Sequence, residues 1–334
     1  MSRLADSAVT RVLTRSDVEA LLGPADCFAA VEEAFRQHGT GEALPPGVLG
    51  VPARDGGFHV KAGVLRGSRL YFAAKVNGNF SGNPARGLPR IQGVVVLCDA
   101  ETGSPLAVMD SASITTLRTA AATAVAAKYL ARPGAAVATL VGCGVQGRAQ
   151  LRALARVLTL REAFCFDERE ETARSLAEDL SSKASFPVRA ARDLCGATAM
   201  SDVIITCTPS KQPVLLPGLV RPGAFIAAVG ADSEEKQEVD ATLLASATIV
   251  TDVTEQCAAI GDLHHALASG LVKRENVHAQ LGEIVAGRKS GRRSADEIVV
   301  FDSTGMALQD VAAAAAVFER AGAEGRGIPV FLAA

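Results

Sequence analysis

A glycine-rich segment within residues 136–167 has the pattern of a phosphate-binding turn. An apolar stretch at 136–141 predicts a strand, and a helical pattern follows the turn. The turn itself reads Gly142-Cys143-Gly144-Val145-Gln146-Gly147. In such a G-x-G-x-x-G turn the first glycine makes the bend, the second lets the backbone approach a diphosphate, and the third lets helix and strand pack closely. The helix N-terminus adds N–H groups and a positive dipole end, so the segment predicts a dinucleotide site.

An acidic residue follows at the distance at which such sites recognise a ribose. Asp167 ends the next predicted strand and lies 20 residues after Gly147. A carboxylate there binds the free ribose hydroxyls and repels a 2′-phosphate, which predicts NAD(H) as the cofactor and makes NADP(H) less favoured. Arg169 lies near enough to weaken that preference. The alternative, a glycine turn that binds nothing, is disfavoured because strand, turn, helix, strand and acid all occur in order.

One charged residue interrupts a long apolar helix pattern before the turn. Residues 111–131 predict an Ala-rich helix, in which Arg118 is the only charged residue between Asp110 and Lys128. An arginine on so apolar a helix is expected to be buried, and a buried charge needs a partner. That partner is either a nearby acidic side chain or an anion, such as a substrate carboxylate or the cofactor phosphates. The position directly before the nucleotide segment favours the anion.

Two lysines lie inside apolar strand patterns. Lys75 shares its predicted strand face with Tyr71 and Ala73, and Lys61 shares its face with His59. Burial would lower the pKa of Lys75 into a range useful for proton transfer. From the residues alone, a lysine on a solvated face is an equally good interpretation. If the two strands pair, His59, Lys61 and Lys75 converge into a cationic pocket suited to a carboxylate.

Other polar residues give weaker signals. Asp232 follows the predicted strand 224–230, at the edge where open parallel sheets bind ligands, but its acidic surroundings also fit a solvated loop. His264 and His265 are adjacent on a predicted helix and so face different directions. The sequence has no H-x-x-x-H pair or Cys/His cluster, so we predict no metal site.

Composition excludes several classes of protein. The 334 residues are 49% hydrophobic and 21% charged, which predicts two domains with large cores. The net charge of −2, the absence of a signal-peptide pattern and the absence of a long uncharged apolar run predict neither a nucleic-acid nor a membrane partner. Seven cysteines without C-x-x-C spacing are typical of reduced thiols in a cytoplasmic protein.

The first part of the chain predicts an α+β domain built on an antiparallel sheet. Helices are expected from a capping box at Ser16–Glu19 and over about 26–38, and a Pro- and Gly-rich segment follows at 44–52, before the first predicted strand. The strands of the sheet are predicted at 58–65, 69–77, 93–99 and 105–110.

From residue 136 onward strands alternate with helices, which predicts an α/β fold with a doubly wound parallel sheet of Rossmann type. Helices in this part are expected at 255–269 and 277–285. A last helix is predicted at 306–321.

Together these motifs resemble the ornithine cyclodeaminase/μ-crystallin family along almost the whole chain. The matching stretches are AAKVNGN, GLPRIQGVVVLCDAETGSPLAVMD, SITTLRTAAATAVAAKYLARPGA, VGCGVQG, AVGADSEEKQEVD and FDSTGMALQDVAAA. The resemblance implies a Rossmann domain at 119–305 and a substrate and dimerisation domain at 1–118 with 306–334. It also implies a homodimer joined through the substrate domains.

The resemblance further implies roles for individual residues. It places a catalytic, substrate-binding lysine at Lys75, a carboxylate-binding arginine at Arg118 and a catalytic aspartate at Asp232. The cofactor-contacting residues that it implies are Val145 and Gln146 in the turn, Thr208 in the loop after the fourth Rossmann strand, and Val229 at the end of AFIAAVG.

Two departures from the family pattern bear on the reaction. The ornithine cyclodeaminases have a second arginine in the segment that reads PPGVLGVP here, and an acidic residue at about His59. This segment has no arginine, and Lys61, where methionine is common, would replace it as an anion anchor. We therefore expect an NAD(P)H-dependent reductase of a small cyclic imino acid, such as a pyrroline-2-carboxylate, that gives the L-amino acid. The alternatives are an ornithine-type cyclodeaminase with internally recycled NAD, an amino-acid dehydrogenase, and a non-catalytic binding protein.

Overall fold

A computed structural model describes residues 9–332, and these residues form two compact units. The terminal unit comprises the described residues up to Arg118 together with those from Met306 onward. The central unit is Thr119–Gly305. The described chain contains one seven-stranded and one eight-stranded sheet, one in each unit.

The elements up to the glycine turn are, in chain order, β1 (Val9–Leu13), α1 (Arg15–Leu21), α2 (Pro24–Thr40), β2 (Gly47–Ala53), β3 (Gly56–Arg66), β4 (Leu70–Asn79), β5 (Ile91–Asp99), β6 (Pro105–Asp110), α3 (Ser111–Leu130) and β7 (Val137–Val141). The following elements are α4 (Val145–Leu154), β8 (Glu162–Phe166), α5 (Glu170–Ser181), β9 (Val188–Ala190), α6 (Leu194–Met200), β10 (Val203–Thr206), β11 (Phe225–Ala228), α7 (Ala241–Ala245) and β12 (Thr248–Thr251). The last are α8 (Thr254–Ile260), α9 (Asp262–Ala268), β13 (Val277–Gln280), α10 (Leu281–Val285), β14 (Val299–Asp302), α11 (Ala307–Glu324) and β15 (Ile328–Phe331).

The sheet of the terminal unit has the strand order β15-β1-β6-β5-β4-β3-β2. Strands β2 to β6 form an antiparallel meander, of which β3 to β6 were predicted. However, β1 pairs with β6 in parallel, and β15 pairs with β1 in antiparallel. The sheet is therefore mixed rather than purely antiparallel, because β1 and β6 are joined by a long connection and not by a hairpin.

One local prediction in this unit was wrong, and one strand was not predicted. The first helix is capped by Thr14, not Ser16, since Thr14 N donates to the Asp17 carboxylate at 2.9 Å and Thr14 Oγ1 accepts from Asp17 N. The segment at 44–52 contains β2, a strand at the edge of the sheet that pairs only with β3. Pro52 is tolerated there because an edge strand need not donate on its outer side.

The last helix covers one face of this sheet. α11 packs against β3, β4 and β5 and against α2. Tyr71, Ala73 and Lys75 of β4 are all buried, as expected from the period of two that places them on one face. On the opposite face, the register aligns Val60, Val76 and Val94 across three strands, and these side chains are half-buried or exposed.

The sheet of the central unit is parallel throughout, with the order β13-β12-β14-β11-β10-β7-β8-β9. This order confirms the predicted doubly wound α/β fold. Every residue of β10, β11, β12 and β14 is buried, as expected for strands covered on both faces.

Two helix predictions in the central unit need correction. The helix expected at 255–269 is two helices, α8 and α9, separated at Gly261. The segment expected to be a helix at 277–285 begins as β13, which pairs with β12, and only then forms α10. A short apolar run does not distinguish a buried strand from a buried helix, because its pairing partner is distant in sequence.

Candidate functional site

A cluster of buried cations lies beside α11 in the terminal unit. β3 and β4 pair so that Lys61 stands directly opposite Lys75. Lys61 is 7% exposed, Lys75 3% and Arg118 of α3 6%, so Lys75 does not lie on a solvated face. We call these three residues the cationic cluster.

One carboxylate, that of Asp310 in α11, contacts two of these cations. Lys75 Nζ donates to Asp310 Oδ1 at 2.9 Å and also lies 2.9 Å from Oδ2. Arg118 Nε lies 3.1 Å from Asp310 Oδ1, and Arg118 Nη1 donates to Gln309 Oε1 at 2.9 Å. Of the two partners that the sequence left open for Arg118, the structure therefore contains the acidic side chain.

Burial and neighbouring charges bring the pKa of Lys75 close to neutrality. Desolvation lowers this pKa most, Arg118 and Lys61 lower it further and Asp310 raises it, with a resulting value of about 7. Burial alone would raise the pKa of Asp310, but Lys75 and Arg118 hold it below its usual value. Asp310 is thus a carboxylate, and the Lys75 ammonium beside it releases its proton near pH 7. A pKa in this range suits Lys75 to proton transfer.

Polar residues continue along the same strands. His59 is half-buried and stands opposite Asn77, two residues along from the Lys61–Lys75 pair. Asn77 is buried and accepts a hydrogen bond from Ser111 Oγ at 2.6 Å. Gly93 stands opposite Asn77 in β5, where a Cβ would collide with the Asn77 side chain. The strand register thus places His59, Lys61 and Lys75 at neighbouring positions.

The glycine turn of the central unit has the local geometry of a phosphate site. Gly142 has a φ of +98°, which side chains rarely permit, and a Cβ on Gly147 would lie 2.5 Å from the Gly142 carbonyl oxygen. A Cβ on Gly144 would meet nothing within 4 Å, so the space beside the N-terminus of α4 is open. Val145, at this N-terminus, is 76% exposed.

Polar groups at this turn fit a bound dinucleotide. Within residues 9–332 no side chain caps α4, so the first N–H groups are available to phosphate oxygens. The Oε1 of Gln146 is buried and has no hydrogen-bond partner among the same residues. A buried polar atom without a partner is costly, and a ligand donor such as a hydroxyl would satisfy it.

Asp167 lies beside the turn at the end of β8. Its Oδ2 accepts from Cys143 N at 2.9 Å and its Oδ1 from Arg169 N at 3.0 Å. The carboxylate therefore also fixes the glycine turn, a contact that the sequence did not indicate. Arg169 is 81% exposed, with its Nε 3.9 Å from Asp167 Oδ1, so it can reach a group bound at this carboxylate.

The ends of β10 and β11 lie on the other side of β7 from β8. Thr208 follows β10, and its N–H donates to Glu238 Oε1 at 2.6 Å. Val229 follows β11, and its N–H donates to the Thr206 carbonyl at 2.9 Å. Because the carboxyl ends of parallel strands meet at one edge, these residues and the glycine turn line the same edge of the sheet.

Asp232 lies in the loop after β11. Its carboxylate forms an ion pair with Lys236, and the two side chains are 48% and 16% exposed. Lys236 Nζ also donates to the Gly230 carbonyl at 3.4 Å, so Lys236 ties Asp232 to the end of β11.

Among residues 9–332, no group of three or more His, Cys, Asp or Glu side chains is arranged to hold a metal ion. His264 and His265 contact the backbone carbonyls of Ala258 and Lys236. Within the same residues no helix has both the length and the apolar character needed to cross a membrane.

Asp310, which links Lys75 to Arg118, is not among the site residues predicted from the sequence. A signal was present, because Asp310 is the only charged residue between Asp302 and Glu319, in an Ala-rich helix pattern. This is the same pattern that identified Arg118. What the sequence did not show is that two such isolated charges, far apart in the chain, would be each other's partner.

Known proteins resemble this chain over almost its whole length. The model of the ornithine cyclodeaminase/mu-crystallin family matches residues 8–325. The alanine dehydrogenase of Archaeoglobus fulgidus is 41% identical over 315 residues, which are 93% of this chain and 95% of that protein.

Two solved structures share the whole architecture. An archaeal alanine dehydrogenase dimer with bound NAD has a TM-score of 0.93 at 38% identity and covers 97% of this chain and 99% of its own. The Δ1-pyrroline-2-carboxylate reductase of Thermococcus litoralis, in complex with NADH and L-proline, has a TM-score of 0.91 at 32% identity and covers 96% and 100%.

The cationic cluster predicts a large effect of Asp310→Asn on stability. Removing one partner of a buried ion pair leaves uncompensated charge, so we expect the free energy of unfolding at pH 6 to fall by about 3–5 kcal/mol. The deficit should shrink as the pH rises through about 7, because Lys75 then loses its proton in the parent protein as well. It should not vanish, since Arg118 stays charged. Urea unfolding at several pH values measures both effects.

Glu319→Gln is the matched control for this experiment. Glu319 is an exposed acid of the same helix and accepts from Ser68 Oγ at 2.6 Å and Tyr71 Oη at 2.9 Å. Its loss should cost about 1 kcal/mol or less, with no change near pH 7. Equal costs for the two variants would contradict the view that Asp310 neutralises the cluster.

Proposed function

Because the chain belongs to the ornithine cyclodeaminase/mu-crystallin family, we propose that it is an NAD(H)-dependent reductase of a small imino acid. The substrate is preferably cyclic, such as a pyrroline-2-carboxylate, and the product is the L-amino acid. The observation that carries the proposal is the buried cationic cluster, in which a single carboxylate contacts Lys75 and Arg118. Similarity to an alanine dehydrogenase and to a Δ1-pyrroline-2-carboxylate reductase supports the same type of reaction.

The charge balance of the cluster suits a substrate carboxylate. When Lys75 and Arg118 are both ionised, they contribute two positive charges and Asp310 one negative charge, a net charge of +1. An anion stabilises a buried excess of positive charge. In this proposal Arg118 and Lys61 hold the carboxylate, His59 lies beside Lys61, and Lys75 orients and polarises the imine end.

Reduction of an imine adds a hydride to carbon and a proton to nitrogen, and the nicotinamide supplies the hydride when NADH is bound. Lys75, with a pKa of about 7, can hold or release a proton at Nζ under neutral conditions. We propose that Asp232 supplies or relays the proton to nitrogen. Its ion pair with Lys236 fixes the carboxylate for that role.

We propose that the central unit is the dinucleotide-binding Rossmann domain and the terminal unit the substrate and dimerisation domain. Asp167 and Arg169 would face the adenosine ribose, and the open space at Gly144 would receive the diphosphate. The remaining residues proposed to contact the cofactor are Gly142, Val145, Gln146, Gly147, Thr208 and Val229.

Two alternative functions are a cyclodeaminase and an amino-acid dehydrogenase. The charge of the cluster bears on the first, and similarity to known proteins bears on the second. An ornithine cyclodeaminase must bind a second ammonium, which a cluster with excess positive charge disfavours. An amino-acid dehydrogenase that acts on an open-chain substrate is favoured by the 41% identity to an alanine dehydrogenase. The same cationic cluster would serve it, because the substrate again has one carboxylate.

We propose that the protein is a homodimer joined through the open face of the terminal sheet. Val60, Val76 and Val94 form a row on that face, and the edge strand β2 adds Leu49 and Val51, which are 58% and 44% exposed. Apolar surface of this extent marks an interaction site. The similar archaeal alanine dehydrogenase is a dimer. Seven unpaired cysteines support the reducing cytoplasm as the location.

The proposed reaction predicts stoichiometric NADH consumption with a pyrroline-2-carboxylate. NADH oxidation is followed by absorbance, with pyruvate plus ammonia as a second substrate and ornithine plus NAD as a third. We expect the imine to be reduced and little ammonia to be released from ornithine. Ammonia release faster than imine reduction would favour the cyclodeaminase, and reduction of pyruvate with ammonia alone would favour the open-chain dehydrogenase.

Lys75→Met and Lys128→Met form the matched pair for this assay. Loss of a buried charge-assisted contact should lower kcat/KM by about 100-fold or more in Lys75→Met, while NADH binding stays measurable. Lys128 is an exposed cation of α3 outside the cluster, and its loss should change kcat/KM by less than about twofold. A Lys75 variant with near-normal rates would remove Lys75 from the mechanism.

Asp167 predicts a preference for NADH over NADPH. Because its carboxylate repels a 2′-phosphate, kcat/KM should be at least about tenfold higher with NADH. Asp167→Asn should reduce this ratio, whereas Glu168→Gln, which removes an exposed charge one residue away, should leave it unchanged. A higher kcat/KM with NADPH in the parent protein would show that Asp167 does not set the preference.

The open sheet face predicts a dimer in solution at micromolar concentration, measured by light scattering. Val94→Lys places a charge within the apolar row and should shift the mass toward the monomer. Leu271→Lys, at an exposed apolar residue of the central unit, should remain dimeric. A monomeric parent protein would refute the interface.

A further inference from the structure

Four fully buried carboxyl groups lie in the central unit outside the proposed contacts with substrate and cofactor. Glu238, Asp252, Asp262 and Asp302 are each 0% exposed. Within residues 9–332 none of them forms an ion pair with a lysine or arginine. Burying charges without counter-ions costs free energy, so these four acids, called here the buried row, are expected to have a structural role.

Glu238 contacts the ends of two neighbouring strands at once. Its Oε2 accepts from Thr206 Oγ1 at 2.8 Å and from Gly230 N at 2.7 Å, and its Oε1 accepts from Thr208 N at 2.6 Å. Thr206 ends β10, and Gly230 follows β11. Gly230 leaves no room for a side chain, since its Cβ would lie 2.6 Å from the Glu238 carboxyl carbon. One carboxylate thus joins the two strand ends.

The residues behind Glu238 hold it in place. Asp262 Oδ1 accepts from the backbone N–H groups of Glu238, at 2.7 Å, and Val239, at 2.9 Å. Burial, and then the charge of Glu238, raise the pKa of Asp262 to about 7, and burial raises the pKa of Glu238 as well. Farther along, burial and then Asp262 raise the pKa of Asp302 well above its usual value. Burial thus shifts the pKa values of all three acids upward, which opposes the accumulation of negative charge in this part of the unit.

The strand order shows which part of a dinucleotide would meet the joined strand ends. In the sheet, β7 has β8 on one side and β10 followed by β11 on the other. A dinucleotide whose diphosphate lies at the β7 turn and whose adenosine ribose lies at Asp167, after β8, must direct its nicotinamide half toward β10 and β11. Thr208 and Gly230 are therefore on the nicotinamide side.

We propose that Glu238 is a positioning residue of the cofactor site, which fixes the ends of β10 and β11 against which the nicotinamide ring lies. It does not touch the cofactor itself. Its carboxylate holds the Thr208 and Gly230 backbones at a set separation, so that the ring meets a rigid surface. This inference rests on the proposed function, since it requires that the chain bind NAD(H).

Two ligands separate a local effect on the nicotinamide side from a general loss of structure. ADP-ribose has the adenosine, diphosphate and ribose of NADH but lacks the nicotinamide ring. In Glu238→Gln, an amide NH₂ must face one of the three donors, so the strand ends cannot keep their separation. We expect the Kd for NADH to rise about tenfold or more, while the Kd for ADP-ribose stays within about twofold. Calorimetric titration of the full-length protein measures both.

Asp302→Asn is the matched control. Asp302 is an equally buried carboxyl, but its carboxylate accepts from Leu263 N at 2.9 Å, whereas Thr206, Thr208 and Gly230 donate to Glu238. It should lower the melting temperature without changing the ratio of the two Kd values. An equal change of this ratio in both variants would overturn the inference, because the effect would then be general.

The remaining outcomes are also decisive. If Glu238→Gln does not fold, Thr206→Val removes one of the three contacts with little change in shape, and should raise the Kd for NADH about threefold without affecting ADP-ribose. If the ratio of the Kd values for NADH and ADP-ribose is unchanged in the variant that folds, this inference is overturned, while the proposed function stands. A parent protein that binds neither ligand overturns the proposed function and this inference with it.

Discussion

The terminal unit depends on the neutralisation of Lys75 and Arg118 by Asp310. Two cations with almost no exposure to water cannot persist in a folded core without a counter-ion, and the side chain that provides it comes from the last helix. α11 therefore does more than cover the sheet with apolar surface. Its position along β3 and β4 is fixed by charge as well as by packing, because Asp310 must meet both Lys75 and Arg118.

The two units differ in the sign of the charges they bury and in how these charges are compensated. In the terminal unit cations exceed carboxylates, and the excess is reduced by the low pKa of Lys75. In the central unit four carboxyls are fully buried, and burial raises the pKa of Glu238, Asp262 and Asp302, that of Asp262 to about 7. Two backbone N–H groups and one hydroxyl donate to the Glu238 carboxylate. An excess of cations attracts an anionic ligand, whereas hydrogen-bonded carboxyls hold backbone segments in place.

Local patterns predicted most of the fold, because they depend on residues close in sequence. The glycine turn, the parallel central sheet and the meander β2 to β6 follow from periodicity and turn residues, apart from β2 itself. The errors occurred where distant residues decide the structure. β1 and β15, from opposite ends of the chain, pair with each other at one edge of the terminal sheet. β13 is a strand only because β12 lies beside it. Neither partner can be recognised from the short segment alone.

The same distinction applies to the candidate site. Arg118 and Lys75 were identified as isolated charges in apolar patterns, and Asp310 carried the same signal but could not be paired with them. Glu238 was hidden in the acidic loop ADSEEKQEVD, where its burial depends on a fold that brings three donors to it. Individual unusual residues can be found by sequence inspection, but their partners require the three-dimensional contacts.

The position of Asp310 in the chain also determines the order in which the protein can fold on the ribosome. Lys75 and Asp310 are separated by 235 residues, and the whole central unit lies between Arg118 and Met306. The central unit is therefore synthesised completely before the helix that neutralises the cations of the terminal unit leaves the exit tunnel. Domains usually fold as units during synthesis. Lys75 of the N-terminal meander accordingly lacks its counter-ion until α11 has been synthesised.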